Sequence, residues 1–323
     1  MKIHLPNSAH LQNLGAFVSH YDPADADRLE FSMHDRWVSV HPVALAMAAC
    51  AGRAVRARGG VPEGTIHQIR ALPYLIRMGL FDHLGIDPGR EITAHEEAGR
   101  FVPLTQVASA PDLRSAITNL VPLLHVPKAV ADPIRYVFSE MVRNVLEHAG
   151  SPVGALVCAQ YYQNTERISI GIADAGVGIK RSMGRSHNVG THQQAIELAL
   201  QPGVTGATSR LGGNEFNAGA GLFFTKSIAA LSRNFFVLYS GDALFKLLRS
   251  REGELPLLNA DPREDRHRFQ TNLPFWQGTV VGIDINVDQT DEFASLLEEI
   301  RKAYSIDVRT KKKLYHKKIQ FVT

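Results

Sequence analysis

Apolar residues recur at helical spacing between residues 131 and 150, where Ile134, Phe138, Met141 and Val145 fall on one stripe at about 100° per residue. Asp132 is placed to cap such a helix, Pro133 suits its first turn, and Gly150 can end it. Glu140, Asn144 and His148 recur every four residues, slightly more than one turn, and so form a second stripe that drifts slowly beside the first. An acid, an amide and an imidazole at the edge of a buried face are expected to line a half-buried site. A solvated helix face is the alternative reading of the same spacing.

Upstream, "LEFSMHDRWVSV" (residues 29–40) reads as strand, and "VALAMAACAGRAVRARGG" (43–60) as an alanine-rich helix ending in basic residues and glycines. "GTIHQI" (64–69) suits a strand, and "ALPYLIRMGLFDHLGI" (71–86) an apolar helix that stops at Gly85. This alternation predicts a small α/β unit over residues 1–105. The stretch "EITAHEEAGRFVPLTQVASAP" (91–111) has turn formers and no clear period, so a domain boundary is expected there. "DLRSAITNLVPLLHVP" (112–127) reads as a further helix.

Two glycine-bearing segments follow. In "RISIGIADAGVGIK" (167–180) an alternating strand runs into Asp174, Gly176 and Gly178. Glycines at that spacing let the chain turn sharply and let a flat ligand approach the backbone, and the carboxylate ahead of them can accept from an exocyclic amine such as adenine carries. In "NAGAGLFFTKSIAAL" (217–231), Gly219 and Gly221 stand just before an amphipathic helix, where backbone donors make a phosphate cradle. Each segment alone is a weak signal.

Composition narrows the classes. The 323 residues carry 35 basic and 32 acidic side chains, a net charge of +3, which gives no nucleic-acid signature. Cys50 and Cys158 sit far apart in apolar surroundings, as buried reduced thiols of a cytoplasmic protein would, and neither a disulfide nor structural zinc is expected. No signal peptide and no membrane span of about 20 apolar residues is evident.

Taken in order, "EMVRNVLEHA", "DAGVG" and "GAGL" resemble the N-box and the two glycine boxes of the GHKL ATPases, the fold shared by DNA gyrase, MutL-type repair proteins, the large heat-shock chaperone and histidine kinases. "QGTVVGIDINV" (277–287) resembles the strand that begins with a Gly-Thr pair and closes that family's sheet as its final edge, and residues 187–217 stand where the family has a mobile lid. The resemblance covers residues 106–287. More loosely, residues 1–105 resemble a STAS-like domain, the module of anti-sigma-factor antagonists, through their element order and "YLIRMGLFDHLGI". The expected fold is α/β, an α+β sandwich of the GHKL (Bergerat) type preceded by the smaller domain, with residues 288–323 as a carboxy-terminal helix and basic tail.

The resemblance implies ATP and Mg2+ as ligands. It makes Asn144 the metal ligand, Glu140 the residue that orients and deprotonates the attacking group, Asp174 the acceptor of the adenine amine, and Gly176 and Gly178 the shapers of the base pocket. Gly219, Gly221 and Leu222 of the second box lie at the phosphates, and His148 either contacts them or is a core histidine at the helix end. Lys226 and Arg143 reach a phosphate or stay solvated. The implied activity is a Mg-dependent ATPase that works as a conformational switch on a protein partner or a second subunit, away from membranes. The alternative is a protein kinase, with Ser39 as the approximate serine acceptor or His95 as a poor histidine one. The charged insertion at 249–275 and the basic tail "KKKLYHKKIQFVT" (311–323) are left without an assigned role.

Overall fold

The computed structural model describes residues 1–91, 101–120, 122, 128–207, 221–250, 258–286, 298, 300–302 and 304–309. The amino-terminal part runs β1 (Lys2–Leu5), β2 (Ser8–Ala9), α1 (Leu14–Ser19), β3 (Leu29–Met33), β4 (Ser39–Val40), α2 (Pro42–Ala57), β5 (Pro62–Thr65), α3 (Leu72–Arg77) and α4 (Leu80–Leu84). Strands β1, β3 and β5 form a parallel sheet in that order, and β2 pairs with β4. The expected single helix over 71–86 is two short ones, because Gly79 adopts a left-handed conformation (φ 72°) that breaks it.

The rest runs β6 (Phe101–Val107), α5 (Ala110–Ser115), α6 (Lys128–Asn144), β7 (Ala155–Tyr162), β8 (Arg167–Asp174), α7 (Gly178–Met183), α8 (His192–Ala199), α9 (Gly221–Leu231), β9 (Phe236–Gly241), β10 (Ala243–Leu247), β11 (His267–Gln270) and β12 (Trp276–Asn286). Its seven strands form one sheet in the order β11-β10-β9-β12-β8-β7-β6, each neighbouring pair antiparallel. The architecture is mixed α/β, with helices on both faces of this sheet. No helix among the described residues is long and apolar enough to cross a membrane.

The sheet's two faces follow from strict alternation along the strands. Ile168, Ile170 and Ile172 of β8, with Val281, Ile283 and Ile285 of β12, face one core with Ile134, Val137, Phe138, Met141 and Val142 of α6 and Phe223, Phe224 and Ile228 of α9. Ala173, Leu156, Cys158, Val237, Tyr239 and Val280 face the opposite core, shared with α2 and the amino-terminal strands. Helix α2 is the filling between the two sheets: nearly every residue from Pro42 to Val55 is buried.

Helix α2 can lie this close because of what faces it. On the back of β8 and β12 the cross-strand pairs are Ala173 with Val280, Gly171 with Gly282, and Ser169 with Asp284. A Cβ on Gly171 would stand 2.3 Å from the backbone nitrogen of Val43, so the helix start rests directly on the glycine pair. The Cys158 thiol donates to the Pro42 carbonyl at 3.2 Å. His41 caps the helix, its Nδ1 accepting from the Val43 amide at 3.0 Å, and its Nε2 meets Asp284 Oδ1 at 3.2 Å. Burial pushes the Asp284 carboxyl up, but His41, Arg167 at 3.8 Å and the Ser169 hydroxyl outweigh it and hold it below its usual range.

Several expectations change. Helix α6 begins at Lys128, so Asp132 and Pro133 lie inside it, and Asp132 pairs with Arg135 at 3.0 Å instead of capping. Strand β5 starts two residues before the expected stretch and ends at Thr65. Residues 101–107, in the segment assigned to a boundary, form edge strand β6 of the large sheet. Strand β12 sits between β9 and β8, in the sheet's interior, and is not its final edge. Within residues 187–207, α8 packs against β9 and β10 of the sheet: it has a capping box of Thr191 and Gln194 and buries Ala195, Ile196 and Ala199. The remainder of the expected lid, 208–217, lies outside the described residues, as does the basic tail.

The glycine pair yields a graded test. Gly171→Ala is expected to cost about 3 kcal/mol or more, because backbone stands in the way, whereas Gly282→Ala meets mainly side chains of Leu11 and Val237 and should cost about 1–2 kcal/mol. Urea denaturation of both variants measures the difference, and equal costs would show that α2 shifts freely on the sheet.

Candidate functional site

On the α6 side of the sheet a pocket of about 330 Å3 opens between α6, α7, the start of α9 and the ends of β8 and β12. Its base is apolar: Ile172, Ile179, Met183, Val204 and Val281 line it with Met141 and Val145. Glu140, Asn144 and His148 line one wall, Asp174 and Gly178 the floor, and Gly221 and Leu222 the far side. The structure thus brings together residues from three separated sequence segments. Gly219 and His95 lie outside the described residues.

Asp174 ends β8 almost wholly buried. Its Oδ1 accepts from the Gly176 amide at 2.7 Å, and Thr279 donates to it through backbone and side chain. Its carbonyl accepts from Trp276 Nε1 at 3.1 Å, and the Trp276 ring lies against Tyr21 of the amino-terminal part, tilted at 55° with centroids 5.4 Å apart. Burial raises the Asp174 carboxyl from 3.8 to about 7, and the three donors offset that only partly. A buried carboxylate held by donors on one side has acceptor capacity left for a ligand's N–H.

The glycines divide their work. Gly176 does not line the pocket: a Cβ there would stand 2.3 Å from the Ala149 carbonyl, so this glycine lets the β8–α7 turn press against the end of α6. Gly178 has φ 75°, a left-handed turn residue at the start of α7, and lines the pocket directly. Gly221 brings α9 against α6, since its Cβ would stand 2.9 Å from Glu140 Oε2 and 3.4 Å from Asn144 Nδ2.

Along α6, Glu140 is largely buried and pairs with Arg143 one turn on, while Asn144 ends the α-helical part. The final turn, residues 145–149, widens to π geometry, so the stripe of polar heads does not continue at strict α spacing. His148 is carried by that wide turn, half-buried, with Nε2 3.7 Å from Glu147. Among the described residues no cluster of three or more His, Cys, Asp or Glu is arranged to hold a metal. A magnesium ion bound through one or two protein oxygens plus phosphate does not need such a cluster. Asn144 and Glu140 are the hard oxygen donors at hand.

Other expectations are corrected. Lys226 is not solvated and does not line the pocket: it is 1% exposed, pairs with Asp265, and donates to the Asn259 carbonyl at 3.0 Å. Burial lowers its ammonium and raises the Asp265 carboxyl, with their mutual attraction opposing both shifts. Asp265 and Asn259 belong to the charged insertion, part of which therefore folds back onto α9 and adds edge strand β11. Ser39, the approximate kinase acceptor, lies between Val38 and Val40 of the opposite core, with its hydroxyl 3.1 Å from His10 Nε2. The whole sheet separates it from the pocket.

Thr279 and the apolar walls were not singled out as site residues. Thr279 had a signal, the Gly-Thr pair that opens the last strand, but its role follows only from β12 lying beside β8. No protein-family model matches the chain. No curated protein matches it either.

The buried carboxylate makes stability pH-dependent. Between about pH 4 and pH 7 the native state keeps a proton on Asp174 that the unfolded chain releases, so folding stability falls as pH rises through that window. The loss is complete above pH 7 and is on the order of 4 kcal/mol at most, at about 1.4 kcal/mol per unit. Denaturation at pH 5 and pH 8 is expected to show this decline in the native protein and a flatter profile in Asp174→Asn. Parallel profiles would place the titration elsewhere.

Proposed function

We propose that the protein binds ATP with Mg2+ in this pocket and acts as a GHKL-type, Mg-dependent ATPase switch in cytoplasmic signalling or regulation. The observation that carries the proposal is the oriented, buried carboxylate of Asp174 on an apolar floor, facing a wall that presents Glu140 and Asn144 one helical turn apart. The apolar slot suits a purine ring, and the remaining acceptor capacity of Asp174 suits the adenine amine better than the carbonyl guanine carries at that position. Gly221, tight against Glu140 and Asn144, sets the start of α9 beside them, where phosphates would lie in this reading.

In this reading Asn144 and the phosphates hold the metal, which would neutralise charge developing on the transferred group. Glu140 orients a water and takes its proton as the water oxygen bonds to the terminal phosphorus and the bond to the bridging oxygen breaks, releasing ADP and phosphate. The switch consists of a difference in ATP affinity between two arrangements of the pocket and its neighbours. The resemblance of the three motifs to the GHKL boxes supports the same conclusion. The parallel strands and helix α2 agree with the STAS-like reading of residues 1–105 only as any small α/β unit would.

A protein-kinase reading uses the same pocket and Glu140 but needs an acceptor. Ser39 is across the sheet and does not line the pocket, so it does not supply that acceptor from within this arrangement.

Purified protein incubated with Mg2+ and gamma-labelled ATP distinguishes these outcomes when both free phosphate and protein-bound label are followed. Free phosphate is expected, and Glu140→Ala should lower its rate about 100-fold or more. Label retained on the chain or on an added protein would favour the kinase. Failure to bind ATP, with Asp174→Asn indistinguishable from the native protein, would overturn the reading.

A further inference from the structure

The pocket's own charges are poorly matched to a phosphate ligand. Two carboxylates, Glu140 and Asp174, line it, and Arg143 is the only guanidinium or ammonium group among its described lining residues. That one cation is already engaged: Arg143 Nη2 donates to Glu140 Oε1 from one turn along the same helix. Glu140 is mostly buried against Gly221, whereas the Arg143 side chain is 49% exposed. A pair with one exposed, flexible member contributes little and exchanges partners readily. Phosphate oxygens offer a guanidinium the two-pronged acceptor it binds most strongly.

We propose that Arg143 is a two-position guard, which holds Glu140 while the pocket is empty and moves to the phosphates of an incoming nucleotide. The ligand itself then frees the carboxylate that acts on it. Paired with Arg143, Glu140 is turned along its own helix and cannot hold a water for attack, so turnover awaits a phosphate-bearing ligand. A nucleoside, which enters the same apolar slot and reaches Asp174, leaves the pair intact. The inference rests on the ATP reading of this pocket and adds what switches it on.

The test is a double-mutant cycle on the full chain, with calorimetric binding of Mg-ATP and of adenosine to the native protein, Glu140→Gln, Arg143→Gln and the double variant. Arg143→Gln is expected to weaken Mg-ATP about tenfold or more and leave adenosine within about twofold, since a charged hydrogen bond to phosphate is lost and the base contacts are not. Glu140→Gln is expected to tighten Mg-ATP, because the competitor for Arg143 is removed. That tightening should shrink in the Arg143→Gln background, where only direct repulsion between Glu140 and phosphate remains. Adenosine binding shows in each case that the variant is folded.

Equal tightening by Glu140→Gln in both backgrounds, or no tightening in the native one, would overturn the guard. So would Mg-ATP affinity unchanged by Arg143→Gln. Steady-state kinetics separate the remaining alternative: if Arg143 is the guard, Arg143→Gln raises KM with kcat within about threefold, whereas if it stays on Glu140 to orient it, Arg143→Gln lowers kcat at constant KM. A native protein that binds neither ATP nor adenosine would instead refute the nucleotide reading on which the guard depends.

Discussion

Helix α2 rests on two glycines that face each other across β8 and β12, and much of the molecule is arranged around that contact. Because Gly171 and Gly282 have no side chains, the start of the helix reaches the sheet's own backbone. That close approach brings Pro42 to the Cys158 thiol and His41 to Asp284, so the capping residue of the helix also meets a carboxylate in the sheet. It also seals the back of the strands whose other ends form the pocket floor. Cys50, further along α2, is near enough to Asp174 for the carboxylate to add to the burial that raises its thiol. Through Trp276, which holds the Asp174 carbonyl and lies beside Tyr21, the floor of the pocket is also tied to the amino-terminal part.

Asp174 shows how the site is held at a cost to the fold. A carboxylate buried with three donors and no cation is less favourable than an apolar side chain of similar size, and nothing in the packing requires it. Its surroundings are nevertheless built to hold it: the Gly176 turn aims one donor, Thr279 supplies two more, and Trp276 pins the carbonyl behind it. Local disagreement with packing rules, surrounded by consistent support, is where function is expected. The Lys226–Asp265 pair is a contrasting case. It is equally buried, but its charges satisfy one another and tie the insertion to α9.

Much of the site was legible in the sequence because its residues repeat at spacings that secondary structure translates directly. Glu140 and Asn144 fall one turn apart on α6, and Asp174 precedes two glycines at a strand end, so each could be placed on its element without knowing the fold. What was illegible depends on neighbours distant in sequence. The alanine-rich pattern of α2 announced a buried helix but not that its partner would be a glycine pair more than a hundred residues away. Strand β6 was hidden by Pro103 and by an edge position that exposes alternate residues only partly. Lys226 reads as a solvated charge until the insertion that carries Asp265 is seen to fold back. The start of α6 was misjudged because Asp132 and Pro133 make a good capping signal, one that helix residues upstream override.

The place of β12 has a consequence for how the chain is made. Strands β6, β7 and β8 can pair as they leave the ribosome, and so can β9, β10 and β11, but nothing joins these two groups until residues 276–286 slide between β8 and β9. Until then the inner edges of both groups present unpaired backbone, and the pocket lacks Thr279 and Val281. The large sheet is therefore completed only once β12, the last of its strands in chain order, has been synthesised. A nascent chain halted before that point would expose two open strand edges, the kind of surface chaperones cover, and would have no complete site to be stabilised by a ligand.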